Sequence, residues 1–192
     1  MKAKQTAEIV LGVTGSIAAY KAAELVRLMV REGWGVSVIL THDAARFVGE
    51  LTFRTLSRRP VTVDMFDAPD EWIPGHISVA EQASVMVVAP CTANVIAKLA
   101  QGLADDMLSA TALACPAPLV IAPAMNTRMW EHPATQANVA TLRKRGATMV
   151  DVGVGDLACG IEGKGRMAEP AEILRVVRQA LRKAGRSAAN GG

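Results

Sequence analysis

The chain is short of aromatic residues, of cysteine and of unbroken apolar runs, and each shortage excludes something. Phe, Trp and Tyr make up 4% of its 192 residues. A core must therefore be built from Val, Ile, Leu, Ala and Met, the residues of buried parallel strands. Three cysteines with no paired spacing suit neither a disulfide framework nor a zinc site. They fit a reducing compartment, so no metal is expected and the cytoplasm is the expected location. The most apolar stretch, residues 112–125, contains Pro116, Pro118 and Pro123, which excludes a membrane helix. Charge of one sign is also scarce. The net charge is +3, and Arg175, Arg178, Arg182, Lys183 and Arg186 near the C-terminus account for more than that. They read as a solvated helix face, not as a nucleic-acid surface. The first strand begins within about eight residues, which leaves no room for a signal peptide.

Just over half of the residues are hydrophobic and a fifth are charged, a globular balance apolar enough to expect burial between subunits. The order of elements follows from periodicity and punctuation. Residues 8–13 form a short apolar strand. Ser16 is expected to cap a helix to about residue 31, with Ala18, Ala22, Leu25 and Met29 on one stripe. Gly33 ends that helix and residues 36–40 form a second strand, completing a βαβ unit. A helix over 43–48, a weak strand at 61–63 and a short helix over 77–83 follow. Strands are then predicted at 85–89, 119–122 and 148–150, with helices over 94–101, 106–114 and 135–145. Pro170 opens a last helix. The fold class is α/β: a doubly wound, Rossmann-like (flavodoxin-like) parallel sheet of five or six strands. One domain is expected over residues 1–182, with a flexible tail over 183–192. Ligands of such sheets bind beyond the carboxyl ends of the strands.

Four short strings carry the chemistry. Gly12-Val13-Thr14-Gly15-Ser16-Ile17-Ala18 is not a dinucleotide fingerprint, because its glycines are three apart. A hydroxyl and open N–H groups at a helix start suit one terminal phosphate, which favours FMN over NAD; the same string also serves as an ordinary capped turn. Thr41, and Thr92-Ala93-Asn94 after the fourth strand, place small polar residues where they reach a cofactor or simply cap helices. His76 carries an imidazole, the side chain most often used as a general base, while His42 and His132 read as loop and turn residues. Asn126, in Pro123-Ala124-Met125-Asn126 off the fifth strand, offers a primary amide for a carboxylate, or an N-cap. Met129 and Trp130 read as packing. Cys159 lies in a glycine-rich stretch, residues 153–165, that suits a lid, and its thiol stays protonated near neutrality. Cys91 and Cys115 lie beside apolar segments.

Taken in order, these strings resemble the flavin-dependent cysteine decarboxylases, over residues 8–181. Gly15-Ser16-Ile17-Ala18-Ala19-Tyr20-Lys21 matches the family's flavin-phosphate segment. His76 in His-Ile-Ser-Val-Ala-Glu matches its histidine, and Pro-Ala-Met-Asn-Thr-Arg-Met-Trp (residues 123–130) matches its substrate motif. Residues 158–167 match the lid with its cysteine. The resemblance implies FMN held by Gly15, Ser16, Ile17, Thr41, Thr92, Ala93, Asn94 and Ala124, and substrate held by Asn126 and Met129. It implies catalysis by His76, Asn126 and Cys159, and a homotrimer or a larger assembly of trimers with active sites between subunits. The implied substrate is 4′-phosphopantothenoylcysteine, converted to 4′-phosphopantetheine in coenzyme A biosynthesis. In bacteria such a domain is often fused to a cysteine-ligating synthetase, and whether this chain stands alone or is cut from such a fusion is left open. A peptidyl-cysteine decarboxylase and a flavin prenyltransferase are alternatives of the same fold. Cys159 argues against the first, and the Asn126 motif with its cysteine lid against the second. A flavin-binding regulatory protein is a third alternative, without the acidic or low-complexity tail such proteins carry.

Overall fold

A computed structural model of the chain describes residues 7–65, 75–156 and 162–190. Its centre is a six-stranded parallel sheet of β1 (Glu8–Val13), β2 (Gly35–Leu40), β3 (Val61–Thr62), β4 (Val85–Cys91), β5 (Leu119–Pro123) and β6 (Thr148–Met149). The order across the sheet is β3-β2-β1-β4-β5-β6. This is the Rossmann order, not the flavodoxin one, and its topological switch point lies between β1 and β4.

The strands are apolar at nearly every position because both faces are covered, and the period of two sorts their side chains. Ile9, Leu11, Val13, Val36, Val38, Leu40, Val85 and Val87 point into one core. There they meet α1 (Ala19–Arg31), α3 (Glu50–Ser57) and α9 (Pro170–Asn190). Val10, Ile39, Met86, Val88 and Ile121 point into the other. That face is covered by α5 (Ala93–Gln101), α6 (Met107–Ala114) and α8 (Pro133–Lys144), with α4 (Gly75–Gln82) packed against α6. A methyl group at Gly12 would overlap Leu108, so the missing side chain lets α6 lie close over β1.

The carboxyl ends of the strands are laced together. Thr14, fully buried, donates from Oγ1 to the Pro90 carbonyl (2.8 Å) and accepts from the Thr92 N–H (3.0 Å). Thr41 N–H donates to Val13 O (3.0 Å), and Ala124 N–H donates to Cys91 O (2.9 Å). The turns after β2, β1, β4 and β5 are therefore held in register as one rim.

The structure departs from the sequence reading in four places. Ser16 does not cap α1: residues 16–18 wind a tighter turn, in which Ala19 N–H donates to Ser16 O, and α1 begins at Ala19. The helix expected at 43–48 is the short α2 (His42–Ala45), and α3 follows it after Gly49. Residues expected to be a loose glycine-rich lid include an antiparallel pair, β7 (Gly153–Asp156) and β8 (Glu162–Arg166). The last helix continues to Asn190, through residues assigned to a tail; Ala184, Ala188 and Ala189 favour helix.

Replacing Thr14 by Val keeps the shape but leaves the Thr92 N–H without its acceptor in a dry site. We expect a loss of about 1–3 kcal/mol in stability, read as a lower urea midpoint with unchanged slope.

Candidate active site

A cavity of about 500 Å³ opens at this rim, within the usual range for small-molecule sites. Gly15 after β1, Thr41 after β2, Thr92 and Asn94 at the start of α5, and Met129 on α7 (Thr127–Glu131) contribute to its walls. Five residues expected to bind cofactor or substrate are thus brought together. Ser16, Ile17 and Ala93 adjoin that wall in the chain without lining it, and Ala124 is buried beside β4.

The turn after β1 suits an anion. Ser16 Oγ accepts from Ala18 N–H (3.2 Å), which leaves its own proton to donate. The N–H groups of Gly15 and Ile17 meet no acceptor among the described residues. Two amides and a hydroxyl at the start of a helix form a cradle for one phosphate group. The groups present fit the phosphate end of FMN. The hydroxyls of Thr41 and Thr92 do cap helices, accepting from Ala44 N–H (3.2 Å) and Val95 N–H (3.4 Å). Capping uses their lone pairs and leaves each proton to donate.

Lys98, Asp105 and Asp106 are among the wall residues not anticipated as site residues. Lys98 lies one turn beyond Asn94 on α5 and bridges Asp105 (2.7 Å) and Asp106 (2.8 Å). Burial works against the charge of Lys98, but the two carboxylates outweigh it and hold the ammonium above its usual range. Burial likewise pushes Asp106 up, and Lys98 with the Ser109 donors pulls it further down, so its carboxyl ends below the ordinary range. Asp106 and Ser109 form a capping box at the start of α6. The i,i+4 spacing of Asn94 and Lys98 and the Asp-x-x-Ser pattern were legible signals; the pairing between α5 and the loop before α6 was not.

Asn126 caps α7: its Oδ1 accepts from Arg128 N–H (2.8 Å). The neighbouring backbone is clamped to the β7–β8 pair, since Met125 N–H donates to Gly165 O (2.9 Å). Gly165 has φ +128°, and a methyl group there would overlap the Met125 carbonyl. Cys159 lies outside the described residues, between β7 and β8 in the chain. The other thiols are structural. Burial pushes Cys91 far above its ordinary range, and Cys115 donates to the Ala80 carbonyl (3.6 Å). His132 caps α8.

His76 is the second residue of α4 and half-buried. It does not line the cavity, and neither does Asn126. Both sit on the face served by the second core, where Val79 of α4 and Met125 and Trp130 beside Asn126 pack. Contacts run from α4 to α6, α6 to α5, α5 to α8 and α8 to α7. Within one chain, α4, which carries His76, packs on α6, and α7, which Asn126 caps, packs on α8 and β8. Among the described residues no group of His, Cys, Asp and Glu could hold a metal ion, and no helix is long and apolar enough to cross a membrane.

A six-stranded parallel sheet in Rossmann order, covered by helices on both faces, defines a doubly wound α/β protein. A family model described as Flavoprotein matches residues 1–182, and the chain belongs to that family. It is similar to the coenzyme A biosynthesis bifunctional protein CoaBC of Bacillus subtilis, with 47% identity over 168 residues, 88% of this chain and 41% of that protein. The CoaBC of Mycobacterium tuberculosis is 45% identical over 177 residues, 92% of this chain and 42% of that protein. The chain spans about two fifths of the length of these curated relatives. Among solved structures, a cysteine-to-serine variant of PPC decarboxylase complexed with pantothenoylaminoethenethiol superposes with a TM-score of 0.82. It is 32% identical and covers 91% of this chain and 98% of its own. The FMN-binding protein AtHal3 gives a TM-score of 0.78 at 33% identity, over 91% of this chain and 96% of its own.

The Asp106 carboxyl titrates lower in the folded chain than in the unfolded one. Its contribution to stability is complete above the ordinary aspartate value of about 3.8 and is lost as pH falls through the lower folded value. Asp106→Asn should flatten the loss of stability below about pH 4, measured as urea midpoint against pH.

Proposed function

We propose that this domain binds FMN and decarboxylates 4′-phosphopantothenoylcysteine to 4′-phosphopantetheine, a step of coenzyme A biosynthesis, in the cytoplasm. The observation that carries this reading is Asn126. Its amide is fixed by its own cap at the end of β5, on the rim that also holds the phosphate cradle. The similarity to CoaBC proteins and to PPC decarboxylase supports the choice of substrate.

Simple loss of CO₂ from a cysteine amide would leave a carbanion with no electron sink. FMN, when bound, would supply a two-electron acceptor and donor, so that the substrate's thiol carbon could be raised to a thioaldehyde and the electrons later returned. The carboxylate is then β to a C=S group, which accepts the electron pair left by CO₂ as an ene-thiolate. Gly15, Ser16 and Ile17 hold the phosphate of the cofactor; Thr41, Thr92, Ala93, Asn94 and Ala124 surround the remainder. Asn126 holds the substrate carboxylate with its N–H groups, and Met129 packs against the substrate. His76 manages the proton of the thiol, and Cys159 donates the proton that completes the saturated product.

We assign His76 and Asn126 to different copies, since within one chain α4 packs on α6 and α7 on α8. The protein works as a homotrimer or an assembly of trimers, with His76 of one copy facing Asn126 of the next. Ile17, Tyr20 and Met129 are large apolar side chains exposed beside the rim, a surface a second copy would cover.

Purified protein given FMN and 4′-phosphopantothenoylcysteine should release CO₂. Asn126→Asp should stop turnover through repulsion of the substrate carboxylate while the protein stays yellow. Cys159→Ser should release CO₂ but accumulate the ene-thiol. Full activity of the first variant, or normal saturated product from the second, would overturn the assigned role. Co-expressed His76→Asn and Asn126→Asp chains, each inactive alone, should regain part of the activity, because some interfaces then carry both intact residues. Mixed oligomers that stay inactive would place the two residues in the same copy.

A further inference from the structure

One carboxylate oxygen ties three separate elements together behind the candidate site. Glu169 Oε1 accepts from Lys21 Nζ (2.8 Å) and from Arg166 Nη2 (3.0 Å). Lys21 lies in the first turn of α1, and its N–H donates to Ala18 O, the end of the turn that forms the phosphate cradle. Arg166 is the last residue of β8. Glu169 precedes Pro170, and its carbonyl accepts from Glu172 and Ile173 N–H, so it also starts α9.

The lysine is unusual for its setting. Its residue is 8% exposed amid apolar side chains, whereas the Glu169 side chain is 60% exposed. An ion pair with one half in water contributes little to stability. A Met would fill the position of Lys21 as well without bringing a charge into an apolar surround. What the charge adds is direction: the ammonium can meet Glu169 at one place only, and Glu169 in turn holds Arg166. The neighbouring residue, Gly165, accepts from Met125 N–H. A continuous chain of contacts therefore runs from the cradle through Lys21, Glu169, Arg166 and Gly165 to Met125 and Asn126.

The geometry points to Lys21, Glu169 and Arg166 as positioning residues that hold β8, and through it the Asn126 segment, at a set distance from the phosphate cradle. This rests on the proposed decarboxylation for its catalytic consequence, but not for its structural one. The cradle keeps its own hydrogen bonds without the triad, so cofactor affinity should be spared. Asn126 should lose its alignment, and misplacement of a substrate-holding group by about 1 Å costs roughly a hundredfold in rate.

The test uses the FMN-loaded oligomer and the cofactor-free protein, with Arg166→Gln, Lys21→Met and Glu169→Asp. The first removes a half-exposed contact and leaves the buried lysine in place, so it remains informative if Lys21→Met fails to fold. For Arg166→Gln we expect kcat to fall about tenfold, and for Lys21→Met about a hundredfold. KM and the FMN dissociation constant should stay within about threefold, and Glu169→Asp should recover most of the rate. In the cofactor-free protein, hydrogen exchange at the Met125 amide should quicken at least about tenfold in both charge-removing variants, with exchange in β1 and β4 unchanged. Wild-type exchange at Met125 in Arg166→Gln would overturn the inference, as would a rate loss matched by equal loss of FMN affinity. If the wild-type protein does not decarboxylate the substrate, the proposed function fails, and the exchange at Met125 alone decides this inference.

Discussion

The site depends on a single buried hydroxyl at the sheet's switch point. Where β1 and β4 lie side by side, their following turns diverge to opposite faces, and a crevice opens between them. Something must hold the two turns together without filling that crevice. Thr14 does so from inside the sheet edge, by donating to Pro90 and accepting from Thr92. It orders the cradle on one side and the start of α5 on the other. Backbone bonds from Thr41 to Val13 and from Ala124 to Cys91 extend the same lacing across two further strands. The cavity is where these turns part.

Around that rim the groups proposed to bind and the groups proposed to handle protons come from different parts of the chain. The cradle, Thr41, Thr92 and Asn94 come from turns directly attached to the sheet, and their position is as rigid as the sheet itself. The groups assigned to proton handling come from elsewhere: His76 from a short helix packed against α6, and Cys159 from the chain between β7 and β8. Asn126 stands between these two classes. It leaves a central strand, yet its backbone neighbour is held by Gly165 of β8. Close approach there requires a residue without a side chain, because the Met125 carbonyl occupies the space a methyl would take. Lys98 with its two aspartates closes the far wall and joins α5 to the start of α6.

Much of this was legible in the chain. The alternation of strand and helix, the covered apolar strands and the breaks at Gly33 and Pro170 all arise from local preferences, and the sheet follows them. The cradle, Thr41, Thr92, Asn94 and Asn126 were legible because each stands just after a strand, and a parallel sheet gathers such positions at one edge. The start of α1 was misread because Ser16 is a good cap in isolation, whereas the turn it makes is one step tighter. The β7–β8 pair was misread because glycines usually signal freedom; here Gly165 signals contact with a backbone that no local pattern reveals. Lys98, Asp105 and Asp106 look like surface charges until two helices bring them to one wall.

By itself the sequence determined which residues could form strands, helices and turns, and it placed the polar groups at strand ends, since these are properties of neighbours along the chain. Only the tertiary structure decided the strand order, the closing of the rim by Thr14, the docking of β8 on Met125 and the packing of α4, which carries His76, on α6. These depend on contacts between residues tens of positions apart, whose energies come from burial and hydrogen bonding that exist only once the chain has packed.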